Sequence, residues 1–207
     1  MTHSQFGQDI NIIKNIYKSK KNGFFIEAGA FDGVKDSNTF LLEKKFNWNG
    51  LCVEPNPILA QKLFKNRKCH CFENALYKDD DLLLDFIDTA EFPAAGIGGF
   101  VMTNSHKHIS ECPIIKVKTV KLENLLDKIN APKFIEYLSL DTEGSEYEIL
   151  KNFDFNKYKI GYITVEHNFL EENRMLIRNH LLENGYYFHR ENNVDDDYIL
   201  KNLENFI

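Results

Sequence analysis

Short runs of β-branched and aromatic residues alternate along this chain with longer segments whose apolar positions recur at helical spacing. That alternation predicts a mostly parallel sheet covered by helices on both faces. Ile10, Ile13, Ile16 and Tyr17 predict a leading helix over residues 5–18, within an N-terminal segment 1–20. Phe24 to Ala28, closed by Gly29, reads as a buried first strand, and a helix is expected from about Ser37 to Phe46. Leu51-Cys52-Val53 is a second strand that stops at Glu54-Pro55, because proline cannot donate into a ladder; Pro57 then opens a helix to about Asn66.

Further strands are predicted at Cys69–Phe72, Leu82–Ile87, Ile114–Val120, Phe134–Leu140 and Ile160–Val165. Helices fall at Leu122–Ile129, Ser145–Phe153 and Phe169–Asn184, the last closed by Gly185. Tyr186–His189 and Tyr198–Leu200 read as a terminal antiparallel hairpin around an acidic turn, Asp195-Asp196-Asp197. Periodicity vanishes over residues 88–113, where Pro93-Ala94-Ala95-Gly96-Ile97-Gly98-Gly99 loosens the backbone. A stretch that long is either a mobile lid over substrate or plain disorder.

The chain's 207 residues suit a single α/β domain with a Rossmann-like, doubly wound sheet. A formal charge of −6 argues against nucleic acid as a partner, because phosphate-backbone binding needs a basic face. The lysines at 14, 18, 20 and 21 fit a solvated helix end better than an anion-binding patch. With no apolar run long enough to span a bilayer and no basic-then-apolar start, a cytoplasmic protein without a membrane partner is expected. Of four cysteines, Cys69-His70-Cys71 could be half a metal site, but strand alternation puts His70 on the opposite face, and buried free thiols are the simpler expectation.

Ligands in open α/β sheets bind beyond the carboxyl ends of the strands, and here those ends carry Glu27, Glu54, Asp141 with Glu143, and Glu166-His167-Asn168. Gly29 and Gly33 would let a ligand approach the backbone closely. Glu54 follows Gly33 by 21 positions, the separation of an acid that accepts ribose hydroxyls, so a nucleoside-containing cofactor is implied. The third glycine of a dinucleotide fingerprint is missing, as is a triphosphate-binding loop. S-adenosylmethionine carries no phosphate, and Glu27 and Asp141 suit its cationic groups.

The runs Phe25-Ile26-Glu27-Ala28-Gly29-Ala30-Phe31-Asp32-Gly33, Ser37-Asn38-Thr39, Val53-Glu54-Pro55-Asn56-Pro57, Asn74-Ala75-Leu76 and Leu140-Asp141-Thr142-Glu143-Gly144-Ser145-Glu146 resemble the successive motifs of FkbM-type methyltransferases. The opening Ser4-Gln5-Phe6-Gly7-Gln8-Asp9 is also similar to the start of many members, and the likeness spans roughly residues 4–170. The resemblance implies a class I methyltransferase fold and O-methylation of a hydroxyl on a sugar, glycan or other small molecule. It implies that Glu27, Gly29 and Asn38 contact the methionine part of the cofactor, Glu54 the ribose, and Asn74 with Ala75 the adenine, with Asp141 near the sulfonium. Many members have asparagine where this chain has Phe31.

Methyl transfer is a direct displacement, so the acceptor hydroxyl must be aligned and must lose its proton. His167 is the candidate base, since imidazole titrates near neutrality, with a structural histidine as the alternative. Asp141, Glu166 and Asn168 could instead hold Mg²⁺, an oxygen-ligated cation. The rival functions are a nucleotide-sugar or NAD oxidoreductase and a non-catalytic binding module.

Overall fold

The computed structural model describes residues 2–88, 96–97 and 112–206. Its elements in chain order are α1 (Gln8–Asn11), β1 (Phe24–Ala28), α2 (Phe40–Phe46), β2 (Asn49–Val53), α3 (Pro57–Asn66), β3 (His70–Phe72), β4 (Ala75–Leu76), β5 (Leu83–Ile87), β6 (Gly96–Ile97), β7 (Ile114–Val120), α4 (Leu122–Lys128), β8 (Phe134–Leu140), α5 (Glu146–Lys151), β9 (Lys159–Glu166), α6 (Glu171–Glu183), β10 (Tyr186–Asn192) and β11 (Asp195–Leu200). Seven strands form the main sheet in the order β10-β11-β9-β8-β1-β2-β3. The strands from β9 through β3 run parallel, and β11 is antiparallel to both of its neighbours.

Strand alternation divides the core into two faces. Phe24, Ile26 and Ala28 of β1 join Leu138 and Leu140 of β8 and Ile163 and Val165 of β9, covered by Leu125, Leu126, Ile149, Leu150, Ile177 and Leu181 of α4, α5 and α6. Phe25, Tyr137 and Tyr162 point the other way, toward Ile12, Ile13, Tyr17, Leu42 and Leu63 of the leading segment, α2 and α3. Helices on both faces explain why β1 is buried at all five positions instead of alternating with polar residues.

Several predicted elements form differently. The leading helix is a single α-turn followed by a π-helical stretch, Ile12–Ile16. Its wider turn, closed by the Tyr17 amide on the Ile12 carbonyl at 2.9 Å, lets Ile12, Ile13 and Tyr17 all be buried. The strands expected near 82–87 and 114–120 lie outside the main sheet, in a four-stranded sheet ordered β4-β7-β5-β6. Most of the proposed 88–113 lid lies outside the described residues; Gly96–Ile97 within it pairs with β5.

The acidic turn is a buried strand instead. Asp195, Asp196 and Asp197 open β11, and the hairpin turns at Asn193-Val194, where Asn193 takes the left-handed φ of 58° that asparagine tolerates. Asp196 points toward α6 and receives Arg174 and Arg178, while Asp195 accepts from Gln8 Nε2 at 2.7 Å and Asp197 from Tyr162 and Arg190.

Arg67, just past α3, ties the front of the sheet together. Its guanidinium is fully buried, donates to Glu27 at 3.0 Å and Glu43 at 2.7 Å, and lies over the rings of Phe25 and Phe40. Burial alone would raise the Glu43 pKa, but the hydrogen bonds from Arg67 and Lys44 overcome it and hold that carboxyl down at about 2. Removing one partner of a buried pair strands the other charge, so Arg67→Met should cost about 3–5 kcal/mol. Urea unfolding checks this; a loss under about 1 kcal/mol would mean that the pair adds little to the fold.

Candidate active site

Between β1 and β8 the strand order reverses, which opens a crevice at their carboxyl ends. Gly29 follows β1 with φ 76°, and its amide donates to the Val53 carbonyl at 3.0 Å. A Cβ on Gly29 would lie 1.8 Å from the carbonyl oxygen of Asp141, so no side chain fits between the two strand ends. An open cleft lies beside this contact. Ala28, Gly29, Val53, Glu54, Asp141, Thr142 and Ser145 form one side, and Asn74, Ala75, Leu76, Phe86 and Ile97 the other.

Of the predicted cofactor residues, the structure brings Gly29, Glu54, Asn74, Ala75 and Asp141 to the cleft. Glu54 is buried and accepts from the Phe31 amide at 2.8 Å and the Asn56 amide at 2.9 Å. Burial pushes its pKa up to about 8 despite those amides, with Asp141 and Asp88 adding repulsion. Phe31, where asparagine is common in the family it resembles, sits at φ 52°, a left-handed conformation that asparagine adopts more readily than phenylalanine.

Gly33 and Glu27 serve the loop instead of lining the cleft. Gly33 has φ 80°, and a Cβ there would strike Leu63 and Arg67 at 2.7 Å, so its role is helix packing. Glu27 lies on the Phe25 side of β1 and is saturated by Ser37 and Thr39 hydroxyls, the Asn38 and Thr39 amides and Arg67. Both of its carboxylate oxygens are therefore engaged by the 37–39 loop and Arg67. Asn38 donates its Nδ2 to Ser139 Oγ at 2.8 Å, while its Oδ1 is buried without a partner. An unsatisfied buried acceptor is costly, which marks a place for a donor.

His167 is not at the cleft. Strand alternation turns Glu166 toward the crevice and His167 toward α6, where its side chain is 1% exposed and Nδ1 accepts from the Phe169 amide. Its Nε2 has no hydrogen-bond partner and lies 3.7 Å from Asp196. Burial, helped by Arg174, lowers its pKa, so the ring is neutral and cut off from any acceptor.

Carboxylates gather where the base was expected. One oxygen from each of Asp141, Glu143 and Glu166 falls within 4.8 Å of the others. Asn168, predicted as a metal ligand, turns its amide nitrogen to Glu143 at 3.0 Å and Glu166 at 2.8 Å, so Glu143 takes its place in the set. Burial raises all three acids, reinforced at Glu143 and Glu166 by Asp141, and Glu143 reaches about 8. Glu143 stands at the same strand end as Asp141 in the sequence, but spacing does not show that its left-handed φ of 57° folds it back toward Asp141. Phe86 and Ile97, which wall the cleft, come from the small sheet and have no local signal.

Strand order, glycine turn and cleft together define a Rossmann-like fold of the class I S-adenosylmethionine-dependent methyltransferases. The methyltransferase FkbM domain profile matches residues 27–188, and the chain belongs to the FkbM methyltransferase family. A crystal structure of methyltransferase FkbM from Methylobacillus flagellatus KT is similar at TM-score 0.55 and 13% identity, over 87% of this chain and 44% of that one. This chain therefore matches less than half the length of that relative. Precorrin-6y C5,15-methyltransferase from Geobacter metallireducens GS-15 is similar at TM-score 0.50 and 13% identity, over 94% of this chain and 87% of that one. A search of curated proteins finds no match.

The raised acids have a stability consequence with a definite sign. Glu143, at about 8 in the fold against an ordinary 4.5, binds its proton more tightly folded than unfolded. Its contribution is therefore present at pH 4 and is lost as pH rises through 8. Glu143→Gln, which keeps a neutral side chain, should match the parent at pH 4 and become progressively more stable than it as pH rises toward 9. Urea unfolding at pH 4 and pH 9 measures it; a variant less stable than the parent at pH 9 would show that the carboxylate is held by an attractive partner.

Proposed function

We propose that the chain transfers a methyl group from S-adenosylmethionine to a hydroxyl, on a sugar or glycan. The observation that carries the cofactor reading is the cleft itself. Its bare glycine turn, buried Glu54 and apolar wall of Ala75, Leu76, Phe86 and Ile97 match a ligand with a hydroxyl-rich ribose and a flat base. The orphaned Asn38 Oδ1 suits the amino group of the methionine part. Ribose hydroxyls would donate to Glu54 oxygens that already hold the two loop amides, and Asn74 with Ala75 would border the base.

S-adenosylmethionine supplies an electrophilic methyl group, and what remains is alignment and removal of one proton. In this reading Asp141, Glu143 and Glu166 take the hydroxyl proton as a unit. Coupled acids share apparent pKa values, and one near 8 suits a base at neutral pH. Mg²⁺ is the second reading of the same three carboxylates, favoured by their convergence within 4.8 Å. The cation would orient and acidify the acceptor.

Calorimetric titration with S-adenosylhomocysteine should show binding that Glu54→Ala weakens at least tenfold, about 1.4 kcal/mol. With a panel of methyl glycosides and labelled cofactor, product NMR should place the methyl on oxygen. Turnover that survives exhaustive chelation favours the proton-accepting acids, and loss restored by Mg²⁺ favours the cation. No heat from a folded sample would overturn the cofactor reading.

A further inference from the structure

Away from the cleft, β2 and β3 carry a second group of reactive side chains. Cys52 pairs in register with Cys71 across the two parallel strands, and Cys69 precedes Cys71 by two residues. The Cys69 thiol donates to Cys52 Sγ at 3.5 Å and lies 4.0 Å from Cys71 Sγ. Cys52 is buried as expected from the sequence, but Cys71, on the edge strand β3, and Cys69, just before it, are only half-buried. Two of the three residues are therefore only partly covered.

The surroundings sort the thiols into roles. Hydrogen bonds from Cys52 and Cys69, with help from the Arg67 guanidinium, hold the Cys71 thiol well below its ordinary pKa. Burial instead pushes Cys52 well up, so it keeps its proton. A thiolate is the form that attacks peroxides, and a neighbouring thiol then resolves the product. Cys69 lies within 4.0 Å of both other sulfurs and is the shared partner of either pairing.

We propose that Cys52, Cys69 and Cys71 form an oxidisable modification site, at which a hydroperoxide closes a disulfide on Cys69. The Cys71 sulfur attacks the outer peroxide oxygen and the O–O bond breaks, giving a Cys71 sulfenic acid and an alkoxide or hydroxide that takes up a proton. Cys69 then attacks the Cys71 sulfur, the S–O bond breaks, and the hydroxyl leaves as water with the Cys69 proton. The two electrons that reduce the peroxide come from the two sulfurs now bonded. Exchange with Cys52, 3.5 Å from Cys69, moves the bond across the strands as the Cys52 sulfur attacks Cys69, the Cys69–Cys71 bond breaks, and the Cys52 proton passes to the departing Cys71 sulfur, which returns as a thiol.

This site borders the loop anchor, since the Cys52 thiol also donates to Glu27 at 3.7 Å. Its test needs neither cofactor nor acceptor and is independent of the methyl-transfer reading. The reduced full chain is treated with hydrogen peroxide or cumene hydroperoxide, free thiols are alkylated, and peptides are mapped by mass spectrometry. The expected result is an intrachain disulfide containing Cys69, with Cys112 still alkylated as a reduced thiol, reversed by a phosphine reductant. Cys71→Ser should slow its formation at least ~10-fold, and Cys112→Ser should leave the rate unchanged. Complete alkylation of all three cysteines after oxidation would overturn the proposal, as would sulfinic or sulfonic acid at Cys71 without a disulfide, or a disulfide that persists in Cys69→Ser.

Discussion

Main-chain atoms of Gly29 and Asp141 meet so closely that a single added carbon would sit 1.8 Å from the Asp141 carbonyl oxygen. That approach is possible only for glycine at φ 76°, and it fixes the separation of the two strand ends at which the sheet reverses direction. The cleft takes its shape from this contact. With the strand ends pinned, Glu54 on the next strand is carried to the rim, and the small sheet closes the far wall with Phe86 and Ile97. Behind the turn, Arg67 and Glu27 hold residues 37–39 through a buried network, so the loop's shape is set before any ligand arrives.

The two faces of the sheet separate polar duties. On the side of Phe25 and Tyr162, alternation lines up Glu27, Ser139, Asp141, Glu166, Asp195 and Asp197, several of them buried acids that repel one another. On the opposite face Asp196 meets two arginines and His167 is buried against them. On the first face burial favours the protonated acids, raising Asp195 to about 7 and Glu54 and Glu143 to about 8, while Glu27 and Asp197 are met by Arg67 and Arg190. Charge on the second face is neutralised. Raised acids are what a site needs if it is to accept a proton near neutrality, at a cost in stability that rises with pH.

Much of this was legible in the residues. The order of strands and helices follows from apolar runs broken by Gly29, Pro55 and Gly185, and the cleft residues Gly29, Glu54, Asn74, Ala75 and Asp141 follow from the motif resemblance. What failed did so for physical reasons. Glu27 and Gly33 stand at the expected positions, but strand parity and a left-handed turn aim them at Arg67. His167 sits one residue past the strand end, and that odd step turns it to the wrong face. The acidic run 195–197 looks like a turn because charge is usually solvated, yet partners distant in sequence, Gln8, Tyr162 and Arg174, together with Arg190 across the hairpin, allow it to be a buried strand. Only the folded chain brings those partners into reach.

The most direct test of the central claim, that the crevice beside Gly29 is built for S-adenosylmethionine, is a crystal structure with S-adenosylhomocysteine bound. The account predicts ribose hydroxyls on Glu54, the adenine against Ala75 and Phe86, and the amino group donating to Asn38 Oδ1. Density for the ligand elsewhere, or a crevice that stays filled only with solvent at saturating ligand, would contradict it.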